Sequence, residues 1–213
     1  MSCGIPSLAS SEESSLVGRA VAGDTHALGS LLSANYDRCY AVCRRILFNE
    51  EDALDATQEA MISIAKAISG FDGRSAFSTW CYRIATNAAL DEVRRNKRRP
   101  RPASDYLCSE GAYIEGPASR DQVAEATVDR LAVARALERL PDDQRVAVVL
   151  RDIADLEYAE IVEVLGIPIG TVRSRIFRGR AALAEILDRE RGRGDTESQR
   201  NLDGSASVQL DRP

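Results

Sequence analysis

Apolar residues recur at the spacing of an α-helix along almost the whole chain. In the first stretch, residues 27–47, one broad face carries Leu28, Leu31, Leu32, Cys39, Val42, Cys43, Ile46 and Leu47. In the second, the residues predicted to face inward are Leu54, Met61, Ile64, Ala65 and Ile68. Similar stripes follow at residues 78–95 and 123–187, and no segment alternates apolar and polar residues as a strand does. The pattern predicts an all-α fold.

One interruption divides the helical pattern into two parts. Residues 96–102 are basic and broken by proline, and residues 103–119 hold Gly, Pro, Ser and acidic residues without a helical period. We therefore predict two small helical domains joined by a flexible linker. The predicted boundaries are a flexible leader at 1–20, a first domain at 21–99, the linker at 100–122, a second domain at 123–190 and a disordered tail at 191–213.

Composition excludes several classes of function. No apolar run approaches the roughly 20 residues of a membrane span, and the N-terminus carries no export signal, so we expect a cytoplasmic protein. There is no Gly-rich phosphate loop and no nucleophile with a plausible histidine base, so we expect neither an enzyme nor a cofactor. Cys39 and Cys43 could suggest zinc, but with His26 as the sole histidine we interpret them as reduced core residues.

Residues 158–183 predict a helix-turn-helix. An apolar stripe from Tyr158 to Leu165 ends at Gly166, which can adopt the left-handed conformation of a helix end, and Pro168 can open the next helix. In that second helix an inner face is formed by Val172, Ile176, Gly179 and Leu183. The predicted outward face consists of Thr171, Ser174, Arg175 and Arg178, flanked by Arg173 and Arg180. Such a helix can read the DNA major groove, although a solvated arginine-rich helix is the plainer alternative.

The first domain contains two further patterns. Asp52, Asp55, Gln58 and Glu59 would share one side of a helix, which suits a basic protein partner but by spacing alone is more often solvated surface. Four of the eleven aromatic residues lie close together at 71–82, beside a Gly-containing loop and before a basic run that begins at Arg94. Aromatic and basic groups together suit single-stranded DNA, whereas the plainer reading places Trp80 and Phe77 in the core.

The order of these motifs resembles bacterial sigma factors of the extracytoplasmic-function group. The segments similar to sigma region two are Asp55-Ala-Thr-Gln58-Glu59, Phe71-Asp-Gly-Arg, Phe77-Ser-Thr-Trp80, Tyr82-Arg83-Ile84-Ala85-Thr-Asn87 and Asp91-Glu-Val-Arg94-Arg95. Those similar to region four are Leu140-Pro141, Arg145 and Gly170-Thr-Val-Arg-Ser-Arg175-Ile-Phe-Arg178-Gly-Arg180. No region three separates them, and this absence points to the extracytoplasmic-function group.

The resemblance implies a transcription initiation factor with a role for each group of residues. The residues implied in docking on the clamp coiled coil of the largest polymerase subunit are Asp52, Asp55, Gln58 and Glu59. Those implied in contacting the melted minus-ten element are Phe71, Asp72, Phe77, Arg83, Asn87, Arg94 and Arg95. Those implied in reading the minus-thirty-five duplex are Thr171, Arg173, Ser174, Arg175 and Arg178. The implied partners are core RNA polymerase, including its flap, promoter DNA and, as a hypothesis, an inhibitory anti-sigma factor.

Net charge separates this expectation from its main alternative. At −5, the chain is poorly suited to bind DNA tightly by itself, so we expect it to work only together with polymerase. The alternative is an autonomous helix-turn-helix regulator, which would bind an operator as a dimer with defined half-site spacing. Such a regulator has no need of the aromatic segment at 71–87.

Overall fold

Two helical lobes make up the structure. The computed structural model describes residues 10–98 and 131–205, with side chains described at 12–98 and 131–189. The helices of lobe one are α1 (Ser10–Val21), α2 (Thr25–Leu47), α3 (Glu50–Ala67) and α4 (Phe77–Arg98), with a 3-10 turn at Ile68–Gly70. Those of lobe two are α5 (described over 131–138), α6 (Asp142–Asp152), α7 (Tyr158–Leu165) and α8 (Ile169–Ser205). The described ranges contain no strand, and the all-α prediction is confirmed.

Lobe one is a bundle in which α2, α3 and α4 pack against one another. The inner face of α3 is built largely from alanines, and Ala53 and Ala60 are fully buried together with Ile64. Small side chains let the neighbouring helix backbones approach closely. Leu54, predicted to face inward, is instead 41% exposed, because it lies about 100° around the helix from Ala53.

Local hydrogen bonds fix where α2 and α3 begin. The Asp24 side chain accepts from the backbone N–H groups of His26 at 2.9 Å and Ala27 at 3.1 Å. Asn49 caps α3 in the same way by accepting from the backbone N–H of Asp52 at 3.1 Å. Asparagine and aspartate at these positions satisfy N–H groups that have no partner within the helix.

The chain ends differ from the boundaries that composition predicts. Residues 10–20, placed in a flexible leader, form most of α1, because Leu16, Val17 and Ala20 give it an apolar face that packs on the core of lobe one. At the other end α8 is helical to Ser205, past the predicted start of the tail at 191. The linker at 100–122, the first residues of the leader and the last of the tail lie outside the described residues.

Cys39, Cys43 and Cys81 are buried and unpaired in lobe one. Burial raises the pKa of the Cys39 thiol to about 12 and that of Cys43 to about 11. A thiol must lose its proton to attack an oxidant or bind a metal, so these groups behave as small core side chains. Within the described ranges, no helix is long and apolar enough to cross a membrane.

Candidate nucleic-acid and polymerase interfaces

The helix-turn-helix of lobe two forms as predicted. Gly166 ends α7 with φ +65°, and its backbone N–H donates to the carbonyl of Val162 at 2.8 Å. Val172 and Ile176 are buried on the inner side of α8. Gly179 also faces inward, so close to α6 that an added Cβ would meet Val148 Cγ2 at 2.6 Å. The close packing of α6 and α8 holds the opposite side of α8 outward.

That outward side carries some of the predicted arginines but not all. Arg173 and Arg178 are exposed, and Arg173 lies with its guanidinium 5.8 Å from the centroid of the Tyr158 ring. Arg175 turns instead toward α6, where its Nε lies 3.1 Å from Asp143 Oδ2. Arg180 pairs with Asp152 on the same helix, α6. Two arginines therefore brace α8, and two point away from the lobe.

Phe177 is a residue that the sequence reasoning missed. Its side chain is 76% exposed, although phenylalanine is normally buried. It follows Arg173 by four residues, so helical spacing alone places it on the same outward face. Thr171 and Ser174 complete this face, and Ser174 donates to the carbonyl of Thr171 at 3.0 Å. An exposed aromatic ring between arginines gives the face an apolar contact as well as charge.

In lobe one the loop before α4 rests on a cluster of three aromatic rings. The Phe71 ring lies 5.1 Å from Trp80 and 5.6 Å from Phe77, measured between centroids. Phe77 is 4% exposed, so it supports the loop from beneath. The Asp72 carboxylate accepts from the backbone N–H of Arg74 at 3.1 Å, and this bond and the Arg74 side chain hold the pKa of Asp72 below its usual value.

A row of polar side chains runs along the outer face of α4. Arg83, Asn87 and Arg94 are all exposed, and their spacing of four and seven residues places them on one side of the helix. Arg94 Nη1 lies 2.5 Å from Asp91 Oδ1, which belongs to the same row. The row begins at Arg83, about two turns after the start of α4, and the aromatic loop immediately precedes that helix. Arginines and an amide in this position can follow a nucleic-acid strand that leaves the loop.

The acidic face of α3 lies beside the C-terminal end of α4. Asp55, Gln58 and Glu59 are exposed as predicted. Glu59 Oε2 lies 3.3 Å from Arg95 Nη2, and Asp52 Oδ2 accepts from Asn96 Nδ2 at 2.8 Å. Arg95 therefore does not join the row of Arg83, Asn87 and Arg94, and it lies against the acidic face instead.

Two apolar side chains widen the α3 face. Leu54 is 41% exposed and Ile62 is 46% exposed, on either side of Gln58 along the helix. A surface with an apolar strip beside carboxylates suits a protein partner better than nucleic acid, whose phosphates the carboxylates would repel. No group of three or more His, Cys, Asp or Glu residues in the described ranges is arranged to hold a metal ion.

Two family models match the chain, one for each lobe. The model of Sigma-70 region 2 matches residues 31–99, and the model of Sigma-70, region 4 matches residues 130–183. Together the matched segments cover more than half of the sequence. The exposed row on α4 and the acidic face of α3 fall in the first segment, and the helix-turn-helix falls in the second.

Curated relatives match over nearly their full lengths. The ECF RNA polymerase sigma factor SigW of Bacillus subtilis is 38% identical over 78% of this chain and 91% of that protein. The RNA polymerase sigma-H factor of Pseudomonas aeruginosa is 35% identical over 84% of this chain and 96% of that protein. The ECF RNA polymerase sigma-E factor of Escherichia coli is 37% identical over 79% of this chain and 90% of that protein.

Solved structures show the same fold. CnrH, solved in complex with the cytosolic domain of CnrY, is 25% identical, with a TM-score of 0.62 over 83% of this chain and 97% of that one. The sigma factor RpoE of Bartonella quintana, solved with the anti-sigma factor NepR, is 24% identical, with a TM-score of 0.59 over 75% of this chain and 96% of that one. Family models, relatives and fold agree that this chain belongs to the sigma-70 family, among its ECF RNA polymerase sigma factors.

Proposed function

We propose that this chain binds core RNA polymerase and directs it to promoters through two separate DNA contacts. Lobe two reads the minus-thirty-five duplex, and lobe one holds the melted minus-ten strand. The observation that carries the proposal is that one chain combines an outward-facing helix-turn-helix with a second lobe that has an aromatic loop, a basic row and a separate acidic face. An autonomous operator-binding regulator would need only the first of these.

In lobe two, the DNA contacts come from the outward face of α8. Arg178 and Arg173 are the residues able to reach base edges or phosphates, because both are exposed and neither is held by a carboxylate of α6. Phe177 adds an apolar contact, for which a thymine methyl group is the natural partner in the major groove. Thr171 and Ser174 lie beside them. Arg175 keeps a bracing role through Asp143.

In lobe one, the melted strand runs from the aromatic loop along α4. Phe71 is half-buried at the edge of the aromatic cluster, where an unstacked base can rest against it. Asp72 and Asn87 supply acceptor and amide groups for reading that base. Arg83 and Arg94 hold phosphates farther along the helix. Phe77 acts from beneath by keeping Phe71 in position.

The acidic face of α3 is the polymerase contact. Its exposed residues Asp55, Gln58 and Glu59, with Asp52 beside them, meet the clamp coiled coil of the largest subunit, and lobe two meets the flap. Leu54 and Ile62 provide the apolar area that a stable protein contact needs. The protein then acts where the polymerase acts, in the cytoplasm.

Energetics explain why the free chain needs the polymerase. Melting about a dozen base pairs loses roughly 1.4 kcal/mol of stacking per step, well over 10 kcal/mol in all. A few base contacts at roughly 1–3 kcal/mol each do not recover that sum. We therefore expect the isolated chain to bind duplex promoter DNA only weakly, and a gel-shift assay showing tight and specific binding would contradict this.

The test is run-off transcription with sigma-free core polymerase on a panel of genomic promoter fragments. Promoter-specific transcripts that require the added chain support the proposal. We expect Asp55→Lys to lose binding to core, and Arg178→Ala to keep binding to core but lose roughly 5- to 150-fold in promoter affinity. Arg189→Ala is the matched control, because Arg189 is exposed on the same helix and pairs only at the surface with Glu185.

A negative result would favour the autonomous regulator. That outcome requires no transcript and no binding to core on a panel that includes the fragment upstream of the chain's own gene. The regulator would then appear as a dimer in solution and would protect two half-sites.

We also propose an anti-sigma partner for this chain. The support is that both solved relatives named above were captured with a second protein, described for RpoE as an anti-sigma factor. Co-purification of the native chain from unstimulated cells should recover a stoichiometric partner. Recovery of the chain alone would count against the proposal.

A further inference from the structure

Two ion pairs join the helix α8 to the helix α6 in lobe two. Arg175 Nε lies 3.1 Å from Asp143 Oδ2. Arg180 donates to both carboxylate oxygens of Asp152, with its Nε 3.1 Å from Oδ2. Between the two pairs Gly179 lies against α6, where an added Cβ would be 2.6 Å from a side-chain atom of that helix. The two helices are therefore held together at three places along their contact.

The paired arginines stand at the two borders of the outward face of α8. Each residue turns an α-helix by about 100°, so Arg175 and Arg180 lie roughly 70° to either side of the centre of the buried face. The same rotation places Arg175 next to Arg178 and Arg180 next to Arg173. An arginine released from its aspartate at either border can therefore reach the phosphates of a duplex that lies against the outward face.

The two ion pairs contribute little to the stability of lobe two. Arg180 is 50% exposed and Asp143 is 48% exposed. Solvent and salt screen the charges of such pairs, and many of them have no measurable effect on stability. The buried residues Val172 and Ile176 already hold α8 in the lobe. A role in DNA binding is therefore the better explanation for two pairs that stand at the borders of the outward face.

An arginine that contacts a phosphate binds every DNA sequence. Neutralising a phosphate releases counterions, so each such contact strengthens binding to incorrect sites and makes binding more sensitive to salt. A carboxylate that pairs with the arginine removes this contribution. A carboxylate at the border of α8 also repels phosphates, which opposes docking in which α8 is rotated away from the orientation that its base contacts require.

We propose that Asp143 and Asp152 determine the specificity of the minus-thirty-five contact without touching DNA. Asp143 keeps Arg175 away from the phosphates, and Asp152 does the same for Arg180. The outward face of α8 is then the only part of the helix that binds, and incorrect sequences are bound weakly. This inference rests on the proposed function, in which α8 reads the minus-thirty-five duplex.

DNA affinities of the holoenzyme, reconstituted from core polymerase and the full chain, test the proposal. One probe is an active promoter fragment from the run-off panel, and the other is the same fragment with its minus-thirty-five element scrambled. Dissociation constants for both fragments are measured across a salt series. Two quantities are compared between variants: the ratio of the two affinities, and the slope of log affinity against log salt concentration.

Asp143→Asn keeps the shape of the side chain and removes its charge. We expect it to bind the scrambled fragment up to roughly eightfold more tightly at about 0.1 M salt, with a slope steeper by about 0.9, the value for one more phosphate contact. Affinity for the correct promoter should change less than about twofold, because base contacts fix α8 and prevent it from rotating to bring the released arginine to a phosphate. The ratio of the two affinities should therefore fall several-fold.

Asp188→Asn is the matched control for this substitution. It removes the same charge from an exposed position farther along α8. We expect its affinity ratio and its salt slope to equal those of the parent holoenzyme. If Asp143→Asn gave the same ratio and slope as Asp188→Asn, the proposal would be overturned.

Arg175→Ala tests the other partner of the pair. It releases no charge, so we expect the parental slope and a promoter affinity within about twofold of the parent. Asp143→Asn combined with Arg175→Ala should behave like Arg175→Ala alone, because the additional phosphate contact requires the arginine. Asp143→Glu keeps the carboxylate and should keep the parental slope. A slope lower by about 0.9 for Arg175→Ala would show that Arg175 contacts a phosphate in the parent, which overturns the proposal.

The second pair provides an independent repeat of the experiment. Asp152→Asn should give the same changes as Asp143→Asn, and Arg180→Ala should give the parental slope. Thermal unfolding followed by circular dichroism should show that all variants are as stable as the parent, because partly exposed pairs contribute little. A parent holoenzyme that bound both fragments equally would overturn the proposed function together with this inference. A parent that discriminates, with Asp143→Asn and Asp152→Asn that discriminate equally well, would overturn the inference alone.

Discussion

Arg145 offers the sharpest test of what holds lobe two together. Its side chain is 7% exposed, yet it carries a positive charge. Its Nη1 donates to the carbonyl of Leu140 at 3.1 Å, and its Nη2 donates to Asp142 at 2.7 Å. Replacing Arg145 with alanine removes these donors at once and leaves a buried carbonyl and a half-buried carboxylate without them.

The expected loss of stability is large relative to the free energy of unfolding of lobe two. Removing one partner of a buried ion pair costs about 3–5 kcal/mol, and the lower end applies here because Asp142 is 28% exposed and keeps its pair with Lys97. A lobe of about 60 residues has a free energy of unfolding of about 3–9 kcal/mol at typical values per residue. Arg145→Ala should therefore leave lobe two marginally stable or unfolded. With about 1 kcal/mol per molar urea for a domain of this size, the midpoint of its transition should fall by about 3 M or more.

Two spectroscopic probes separate the lobes. The only tryptophan, Trp80, lies in lobe one, so its fluorescence follows that lobe, whereas far-ultraviolet circular dichroism follows both. We expect Arg145→Ala to split the dichroism transition and to leave the main fluorescence transition nearly in place. The dichroism midpoint of Arg145→Lys should lie between those of the parent and the alanine variant. The midpoint of Arg189→Ala should equal that of the parent. A dichroism midpoint within about 0.5 M of the parent's, roughly the error of such a fit, would refute the reasoning.

Three further predictions concern single side chains. Thr86→Val should raise the free energy of unfolding of lobe one by about 1 kcal/mol, because the Thr86 hydroxyl is buried with no partner among the described residues. Thr57→Val should lower that free energy by about 1 kcal/mol, because it removes the hydrogen bond of 2.6 Å from the Thr57 hydroxyl to the carbonyl of Ala53. Urea unfolding of the two variants measures both changes. Phe177→Ala should weaken holoenzyme binding to minus-thirty-five DNA several-fold without lowering the melting temperature, and equal promoter affinity would contradict it. Cys39 and Cys43 should stay unlabelled by a thiol reagent at pH 8 until urea is added, since burial raises the pKa of both thiols.

Local sequence signals were enough to predict the helix-turn-helix. The apolar stripe of α7, Gly166 and the inner face of α8 all act within a few residues of one another, so no knowledge of distant contacts is needed. The cap residues of α2 and α3 are local in the same sense. The all-α class follows from periodicity along the chain.

Features that depend on distant contacts could not be predicted in this way. Periodicity does not say that α3 packs through Ala53 and leaves Leu54 exposed. It does not say that Arg175 turns to Asp143 or that Arg95 turns to Glu59, because these carboxylates come from other helices. Each of these arginines looked equally available in the sequence, and only the partner across the fold distinguishes a bracing arginine from an exposed one.

The two oxygens of Glu160 have an evolutionary consequence. One oxygen caps α7 and the other meets Thr79 on lobe one, so the helix-turn-helix keeps its own cap whatever residue stands at position 79. A substitution at position 79 can therefore remove a contact between the lobes without removing the hydrogen bond that caps α7. The cap of α7 and the contact between the lobes can therefore diverge independently among descendants of this chain.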